Sequence, residues 1–511
     1  MVELADIDID FGDIFFRDEL QFELKSDFLP HEGTKKNIFT QELFIFIPTS
    51  LQINQGTYGK TEFYRDQTNY IRYKTPVFTF QEILDKNNPL SPLHILNEML
   101  SSKSFDEDLS KIEHEIKLLG NIFRSTLREK VDAIIESEKN PASISQLAQE
   151  VRGFLSQFAE LRQHFQEHHK TPSMRVHFQY VYEFITFTIH GYFSLLTDRL
   201  RKKDHRRSID QELVSILSTL PDPFSLARPN QQSIHLDQTE KNRQAINETQ
   251  EEKISEQDEE DILHRRGLLN KFIGSVLMLQ TNRFSFQKTF RPLIAAYSAG
   301  VAMLIFMILF VWGGEQFKIN TTPFIIATVF FYILKDQIKE GLRNWSYRFA
   351  FRWFPDYTTQ IISESGAVVG SLKESFSLFP LNKIPKEIKE IRDRGFHTIL
   401  DKIHRPEIVL HHKKNVEIYD VDRKPRRKGL NVIFRFNIQN FIKKASNAFH
   451  YYLTVNAKSG ELQKLKLPKV YHLNIIMKNA YVRENKEKIT EFKKYRIVID
   501  KKGIKRVEQL E

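Results

Sequence analysis

The stretch PLIAAYSAGVAMLIFMILFVW, residues 292–312, carries no charged side chain, and a second uncharged stretch, INTTPFIIATVFFYIL, follows at residues 319–334. As a helix rising about 1.5 Å per residue, the first stretch spans about 30 Å, which matches the hydrocarbon core of a bilayer. The second is close to the shortest spanning length, and we expect Lys335 to help it by snorkelling. Residues 291–335 are therefore predicted to form a two-helix transmembrane hairpin.

Basic residues flank this predicted hairpin, whereas its connecting segment carries only Glu315 and Lys318 as charged groups. By the positive-inside rule, both large soluble parts then face the cytoplasm. The first residues, Met1 to Asp18, are acidic and aromatic, so we expect no cleavable signal peptide. The expected location is the cell inner membrane, as a multi-pass protein with N- and C-termini cytoplasmic. The flanking basic residues are His264, Arg265, Arg266, Lys271, Arg283, Lys288 and Arg291 before the hairpin, and Lys335, Lys339, Arg343, Arg348 and Arg352 after it.

Small residues recur four apart in the first uncharged stretch, as Ala295/Ala299 and Ala296/Gly300. This spacing permits close helix packing in a membrane, either within the hairpin or between chains, so a homo-oligomer stays open. The stretches contain only hydroxyl groups as polar side chains apart from Asn320, which disfavours transport of ions or protons.

The composition excludes several kinds of chemistry. None of the 511 residues is cysteine, which rules out disulfides, thiolate nucleophiles, zinc–thiolate sites and iron–sulfur clusters. The charge is uneven, because residues 361–511 hold 33 Lys and Arg against 17 Asp and Glu. A basic part beside a membrane has two natural anionic neighbours, lipid headgroups and nucleic acid.

The hydrophobic pattern changes along the chain. Apolar residues recur every three or four positions from Leu109 to Ile134 and again from Ile144 to Phe165, which predicts amphipathic helices. Residues 178–196 are apolar nearly all round and are interpreted as a buried central helix. A helix is predicted from Pro385 to Ile403. Residues 407–507 then alternate as antiparallel strands, the first from Glu407 to Tyr419 and the last from Tyr495 to Val507, with residues 500–503 among the hairpin signals; the pattern is typical of a small sandwich or barrel. Whether helix 262–280 lies on the membrane or packs in a core is left open.

These patterns predict seven segments and one fold class. The fold class is an α+β membrane protein with an N-terminal β segment plus helical bundle, a two-helix transmembrane hairpin and a C-terminal antiparallel β domain. The segments are a β-rich part at 1–100, a cytosolic helical bundle at 101–221, an acidic flexible linker at 222–261, an amphipathic juxtamembrane helix at 262–290, the hairpin at 291–335, a juxtamembrane helix and mixed part at 336–405, and a basic β domain at 406–511.

The densest basic cluster consists of Arg423, Lys424, Arg426, Arg427 and Lys428. Each such charge near an anionic leaflet is worth roughly 1 kcal/mol before screening, so the cluster is a candidate binding site for anionic lipid. Nucleic acid is the rival ligand, because aromatic residues that can stack on bases follow closely in the sequence. The residue pattern favours lipid, or a solvated loop, over nucleic acid.

Three strings invite a catalytic interpretation. His164, Glu167 and His168 match the H-x-x-E-H pattern of inverted zinc peptidases, but they end a helix that Pro172 breaks. A solvated helix end, which suits histidine, is the favoured interpretation. Residues 56–60, GTYGK, have the wrong glycine spacing for a P-loop and indicate a turn. Asp356 with Glu387 and Lys389 makes a weak nuclease-like pattern. We predict no catalytic residue, metal or cofactor.

From these features we expect a two-pass integral membrane protein that acts as a membrane-tethered binding, scaffold or sensor protein. The alternative is a membrane-anchored effector whose basic C-terminal domain binds nucleic acid and which acts through an oligomeric pore or a hydrolase activity. The expected partners are membrane lipids with anionic headgroups, a homo-oligomer or another protein, with nucleic acid less favoured. Binding is favoured over enzyme activity.

Overall fold

The computed structural model shows an α+β protein with large antiparallel sheets. It describes residues 14–30, 36–101, 109–136, 141–168, 172–201, 213–221, 256–316, 318, 321–363, 366–394, 406–419, 426, 429–455, 460–482 and 488–510. The chain divides into two compact units. The sheet unit comprises Met1–Ile71, Leu279–Asp422 and Asn431–Glu511, and the helical unit comprises Arg72–Met278 and Arg423–Leu430.

The strands form three sheets. Their order is β1-β2-β9-β4 in a four-stranded sheet, β10-β11 in a two-stranded ribbon, and β14-β13-β12-β3-β8-β7-β6-β5 in an eight-stranded sheet that is antiparallel throughout. The strands are β1 (Ile14–Asp18), β2 (Gln21–Phe28), β3 (Lys36–Pro48), β4 (Gln67–Tyr73), β5 (Gln280–Ser285), β6 (Tyr357–Ile362), β7 (Val368–Pro380), β8 (Glu407–Tyr419), β9 (Leu430–Asn437), β10 (Phe449–Val455), β11 (Leu462–Pro468), β12 (Tyr471–Val482), β13 (Lys488–Ile499) and β14 (Ile504–Gln509).

Helices occur in both units. They are α1 (Lys60–Asp66), α2 (Phe80–Leu84), α3 (Pro92–Ser101), α4 (Leu109–Glu136), α5 (Pro141–His168), α6 (Pro172–Arg201), α7 (Glu256–Gly274), α8 (Phe286–Gln316), α9 (Thr322–Trp353), α10 (Lys386–Asp393) and α11 (Gln439–Ile442). Helices α8 and α9 join strands β5 and β6, which are neighbours in the eight-stranded sheet.

Strand β3 lies between β12 and β8 in the eight-stranded sheet, and both of its faces are buried. Leu43, Ile45 and Ile47 face the main core between the eight- and four-stranded sheets. Phe44 and Phe46 face the opposite side, where α10 covers a second core. A strand covered on both faces requires the continuous apolar run that residues 43–47 provide.

The helical unit is built on long helices whose apolar faces meet. The rings of Phe123 on α4 and Phe154 on α5 stack with centroids 4.4 Å apart. Most apolar side chains of α6 are buried, as its nearly continuous hydrophobicity requires. Helix α7 packs on this core through Leu269 and Ile273, which are buried. The core-packing interpretation of helix 262–280 therefore describes the C-terminal half of α7.

The predicted fold class is wrong in its membrane architecture. Among the described residues, only one helix, Lys288–Gln316 within α8, is long and apolar enough to cross a membrane. Helix α9 is not apolar over a sufficient length, because its apolar part ends at Leu334. The charged residues Lys335, Asp336, Lys339 and Glu340 follow in the same helix. The two-helix transmembrane hairpin is therefore not supported, and one apolar helix is by itself weak evidence of a membrane protein.

The separation of an N-terminal β segment from a C-terminal β domain is also wrong. Strand β3, from the first part of the chain, lies between β12 and β8, from the last part. The C-terminal strands therefore complete one sheet with the N-terminal strand instead of forming a sandwich or barrel of their own. Periodicity identifies strands but contains no information on which distant strands pair, which explains the error.

Candidate functional site

Helices α8 and α9 expose an apolar surface, which we call the apolar helix surface. Leu304 on α8 is 61% exposed and Ile326 on α9 is 64% exposed, values typical of polar surface residues. Single exposed apolar residues are ordinary, but a contiguous patch of this extent marks an interaction surface. Its members are Leu293, Tyr297, Met303, Leu304, Met307, Ile308, Val311 and Trp312 on α8, and Ile325, Ile326, Val329, Phe330, Tyr332 and Ile333 on α9.

Some small residues of α8 are buried and others are exposed. Ser298 and Ala302, which are four apart, are buried, and the hydroxyl of Ser298 donates to the carbonyl of Ile294. The predicted packing residues are divided: Ala295 and Ala299 are half-buried, whereas Ala296 and Gly300 are exposed. Half of the predicted set therefore remains accessible to a partner.

The helix pair is fixed to the sheet unit at its base. Strands β5 and β6 pair in antiparallel register, with Ser285 opposite Tyr357. The guanidinium of Arg283, three residues before α8, lies 4.0 Å from the centroid of the Tyr357 ring, at cation–π distance. The ring of Phe286 at the start of α8 stacks on Phe354, just after α9, with centroids 4.2 Å apart. Helix α8 therefore begins, and α9 ends, beside the same pair of strands, β5 and β6, which we call the support of the helix pair.

A buried carboxylate, Glu374 on β7, organises the polar residues beneath this support. Its Oε1 accepts hydrogen bonds from Nε2 of His412 at 3.1 Å and Nδ2 of Asn69 at 2.6 Å. The same oxygen accepts from Nε2 of Gln67 at 3.2 Å, and Oε2 accepts from Arg283 at 3.3 Å. Together with Lys414, these residues form what we call the Glu374 cluster. Glu374, His412 and Lys414 project from β7 and β8 toward the inter-sheet core, where almost every other side chain is apolar.

The environment fixes the charges of the Glu374 cluster. Burial opposes ionisation of Glu374, but the hydrogen bond from His412 and the charges of Lys414 and Arg283 outweigh it and lower the pKa of Glu374 to about 2. Burial lowers the pKa of His412 to about 4, although Glu374 attracts the proton. Burial also lowers the pKa of Lys414 to about 8. At neutral pH the carboxylate is therefore ionised and His412 is a neutral donor through Nε2.

Lys414 has an unusual position for a lysine. It is buried, and its ammonium lies 4.5 Å from the centroid of the Phe434 ring. Its Nζ has no hydrogen-bond acceptor within the part of the chain that the structure describes. The nearby carboxylate of Glu374 and the face of Phe434 stabilise its charge, so removal of the Glu374 charge would lower the pKa of Lys414 further.

A second carboxylate, Asp356, fixes the end of α9. Its Oδ2 accepts hydrogen bonds from the backbone N–H of Phe376 at 2.7 Å and from the hydroxyl of Tyr64 at 3.0 Å, and its Oδ1 lies 2.5 Å from Nζ of Lys60. Burial and the neighbouring carboxylates raise the pKa of Tyr64, which therefore stays a hydroxyl donor. Arg283 on β5 thus binds the Glu374 cluster. Asp356, just before β6, binds Lys60, Tyr64 and the backbone of β7.

This arrangement is suited to holding the helix pair in one position. Within the described ranges, no group of three His, Asp or Glu side chains has the geometry to hold a metal ion. The polar groups of the cluster bind one another or lie in the core between the sheets. The accessible feature of this region is therefore the apolar helix surface, and the Glu374 cluster is its support.

The structure describes only one residue of the predicted basic cluster. Arg426 donates two hydrogen bonds to the carboxylate of Glu115 on α4, at 2.7 and 2.6 Å, both within the helical unit. Such a bidentate pair is a typical structural contact of arginine. Arg423, Lys424, Arg427 and Lys428 lie outside the described residues.

The other predicted strings have structural neighbours of their own. His164 is half-buried on α5, and the side chains of Glu167 and His168 lie outside the described set. Gly59 precedes the first residue of α1, where its N–H donates to Glu62 in a capping box. Asp356 binds Lys60 and Glu387 binds Lys478, so these two carboxylates have separate lysine partners.

No protein-family model, curated protein or solved structure matches this chain. The function therefore has to be inferred from its own residues.

Sequence reasoning missed the Glu374 cluster. A signal was available in β8, where His412 and Lys414 alternate with the strand period and continue the inward-facing series that begins at Leu410. Charged residues at inward positions of a strand are rare unless they are paired. Their carboxylate partner, however, lies on β7, and the pairing of the two strands was not known from sequence.

Proposed function

We propose that this chain is a membrane-tethered binding protein of scaffold or sensor type, anchored in the bilayer by α8. The sheet unit is held at the lipid surface by the β5–β6 support. The observation that carries the proposal is the exposure of fourteen large apolar side chains on the apolar helix surface.

The energetics favour lipid as the surroundings of this surface. Full burial of one large apolar side chain stabilises by about 1.5–3 kcal/mol relative to water. More than a dozen such side chains on one helix pair would therefore cost tens of kcal/mol in water, comparable to or larger than the stability of a whole domain. Aromatic residues suited to the membrane interface, Trp312 and Trp345 among them, are more than half exposed on the same two helices.

The register of the support restricts the topology. Because β5 and β6 are adjacent antiparallel strands, the chain enters α8 and returns from α9 at the same end of the sheet. The sheet unit is therefore attached at the end of the helix pair where α8 begins and α9 ends.

Carbonate extraction of cell membranes tests the proposal. We expect the wild-type protein to remain in the membrane pellet at alkaline pH and high salt, because apolar insertion does not depend on surface charge. The variant Leu304→Arg with Ile308→Arg places two guanidinium groups, which stay charged at alkaline pH, on the exposed face of α8. Each costs about 2.5–3.5 kcal/mol at the centre of a membrane helix, so this variant is expected in the supernatant.

The matched control is Val214→Arg with Leu263→Arg, which adds the same charges at exposed apolar positions of the helical unit. It should stay in the pellet. Soluble wild-type protein, or a carbonate-resistant α8 variant, would reject the lipid anchor. Size-exclusion chromatography of wild-type protein without detergent separates the other explanation, because a discrete soluble oligomer would mean that copies of the chain cover the surface.

A further inference from the structure

A second exposed apolar element leaves the sheet unit at the ribbon formed by β10 and β11. The two strands pair from Phe449 opposite Pro468 to Val455 opposite Leu462. Nearly every side chain of the ribbon is exposed, with Leu453 at 68% and Leu462 at 75%. An isolated two-stranded ribbon is marginally stable in water, so this one requires a partner.

The ribbon carries large apolar side chains on both faces, together with Lys464 and Lys466 on the face of Phe449 and with His450, Thr454 and Gln463 on the face of Tyr452. Side chains alternate along a strand, which places Phe449, Tyr451, Leu453 and Val455 on one face and Tyr452 on the other. The face of Tyr452 also carries Leu465 and Leu467. A protein partner that docks on one face would leave the other in water. A lipid interface surrounds an inserted ribbon and satisfies both faces.

Lysines accompany these apolar side chains. The ammonium of Lys464 lies 4.5 Å from the ring centroid of Tyr451, and that of Lys466 lies 3.9 Å from the ring centroid of Phe449. Aromatic rings and lysines side by side suit the level of the headgroups, where a ring enters the apolar boundary and an ammonium contacts an anionic group.

The ribbon and the helix pair leave the eight-stranded sheet in the same strand direction, with Ser285 and Tyr357 in the row of Asn479, eight residues along β12 from Tyr471. The strand registers show that β5 and β7 run toward their last residues, Ser285 and Pro380, in one direction. The antiparallel strands β6 and β12 start from that direction, at Tyr357 and Tyr471. Helix α8 leaves from Ser285, and the ribbon ends three residues before Tyr471, where the N–H of Lys469 donates to Ala448.

The end of the sheet at the base of the ribbon is basic. Lys443 and Lys444 follow α11, and Lys501 and Lys502 occupy the β13–β14 turn; all four are exposed. Lys501 contacts Asn447, which joins the two segments at one place. Among the acids nearby, Asp500 is buried and bonded to the turn backbone, Asp66 accepts from Asn440 of α11, and Glu19 is exposed. The positive charges outnumber them.

We infer that the β10–β11 ribbon is a second membrane contact, which inserts shallowly into an anionic lipid surface through its aromatic and leucine side chains while Lys464 and Lys466 bind headgroup phosphates or carboxylates. This inference rests on the proposed membrane anchor and adds lipid selectivity to it. Helix α8 attaches the protein to a bilayer of any surface charge, whereas the ribbon binds only a bilayer with an anionic surface.

Because the chain contains no cysteine, single-cysteine labels test this inference without background. Leu453→Cys reports the ribbon, Leu304→Cys reports α8, and Thr490→Cys marks an exposed position near the start of β13 that is far from the ribbon. Each full-length variant carries an environment-sensitive fluorophore and is reconstituted into phosphatidylcholine vesicles with or without phosphatidylserine. Quenching by lipids that carry a quencher in the acyl chain measures insertion.

We expect the Leu304 label to be quenched in both vesicles, the Leu453 label only with phosphatidylserine, and the Thr490 label in neither. Lys464→Gln with Lys466→Gln should lower the apparent affinity of the ribbon for phosphatidylserine on the order of tenfold. An unquenched Leu453 label beside a quenched Leu304 label rejects the ribbon and keeps the anchor, whereas an unquenched Leu304 label rejects the anchor. A Leu453 label that responds to an oligonucleotide and ignores phosphatidylserine also overturns the inference.

Discussion

The ionised state of Glu374 is the residue-level condition for the support of the helix pair. This carboxylate is fully buried and compensates the charges of Arg283 and Lys414. Glu374→Gln keeps the shape and removes the charge, so Lys414, whose pKa burial already lowers to about 8, loses the counter-ion that favours its charged form. We expect a loss of about 3–5 kcal/mol in the free energy of unfolding, measured by urea denaturation of the full chain in detergent.

The exposed pair Glu387–Lys478 gives the control for that substitution. The side chain of Glu387 is 65% exposed, so Glu387→Gln should change the free energy of unfolding by less than about 1 kcal/mol. If the two glutamine variants are equally stable, Glu374 does not hold the support together.

At the scale of elements, the sequence predicts local structure well where one periodicity dominates. Strand β8 spans Glu407–Tyr419 as predicted, and α4 contains the predicted run from Leu109 to Ile134. The predicted run from Tyr495 to Val507 forms β13 and β14, and the predicted hairpin signal at residues 500–503 is the turn between them; at Gly503 a φ of +151° and the close approach of the Glu19 carbonyl oxygen allow only glycine. The predicted helix from Pro385 to Ile403 is described as α10, which ends at Asp393, with residues 395–403 outside the described set.

The helix pair shows the limit of hydrophobicity as a guide. Residues 319–334 are uncharged, but α9 starts at Thr322 and continues to Trp353 through many charged residues, so its apolar part is too short to match α8. The Glu374 cluster was beyond prediction for a different reason. It joins residues of β4, β5, β7 and β8, and single-sequence patterns do not specify contacts between strands so distant in the chain.

Two adjacent glycines provide an element-scale prediction on how α8 packs against α9. A Cβ at Gly313 would lie 2.9 Å from Cε2 of Phe331, whereas a Cβ at Gly314 meets nothing within 4 Å. Alanine in a helix gains roughly 1 kcal/mol over glycine, so Gly314→Ala should slow hydrogen exchange at the end of α8. Gly313→Ala should lose that gain, because the Phe331 ring must move. Equal protection in both variants would mean that the helices are not in contact at this point.

At the scale of the whole molecule, the buried histidine links stability to pH. The pKa of His412 is lowered from 6.5 to about 4, so the unfolded chain binds a proton that the folded chain excludes between these values. Stability from this group is complete above pH 6.5 and is lost as the pH falls toward 4, with a slope of at most about 1.4 kcal/mol per pH unit. Glu374, whose pKa is lowered from 4.5 to about 2, adds a loss in the same direction at lower pH.

His412→Gln keeps a donor for Glu374 and removes the titrating group, so its unfolding midpoint in urea should vary less between pH 6.5 and 4 than that of the wild type. His177, in the helical unit, also has a lowered pKa because of its burial. His177→Gln therefore serves as the comparison, and we expect it to remove a smaller part of the pH dependence because His177 is only partly buried. A wild-type slope that survives in His412→Gln would mean that the inter-sheet core admits a proton at this site without unfolding. In that case the Glu374 cluster would be a titrating element of the folded protein, and the position of the helix pair should then change with pH.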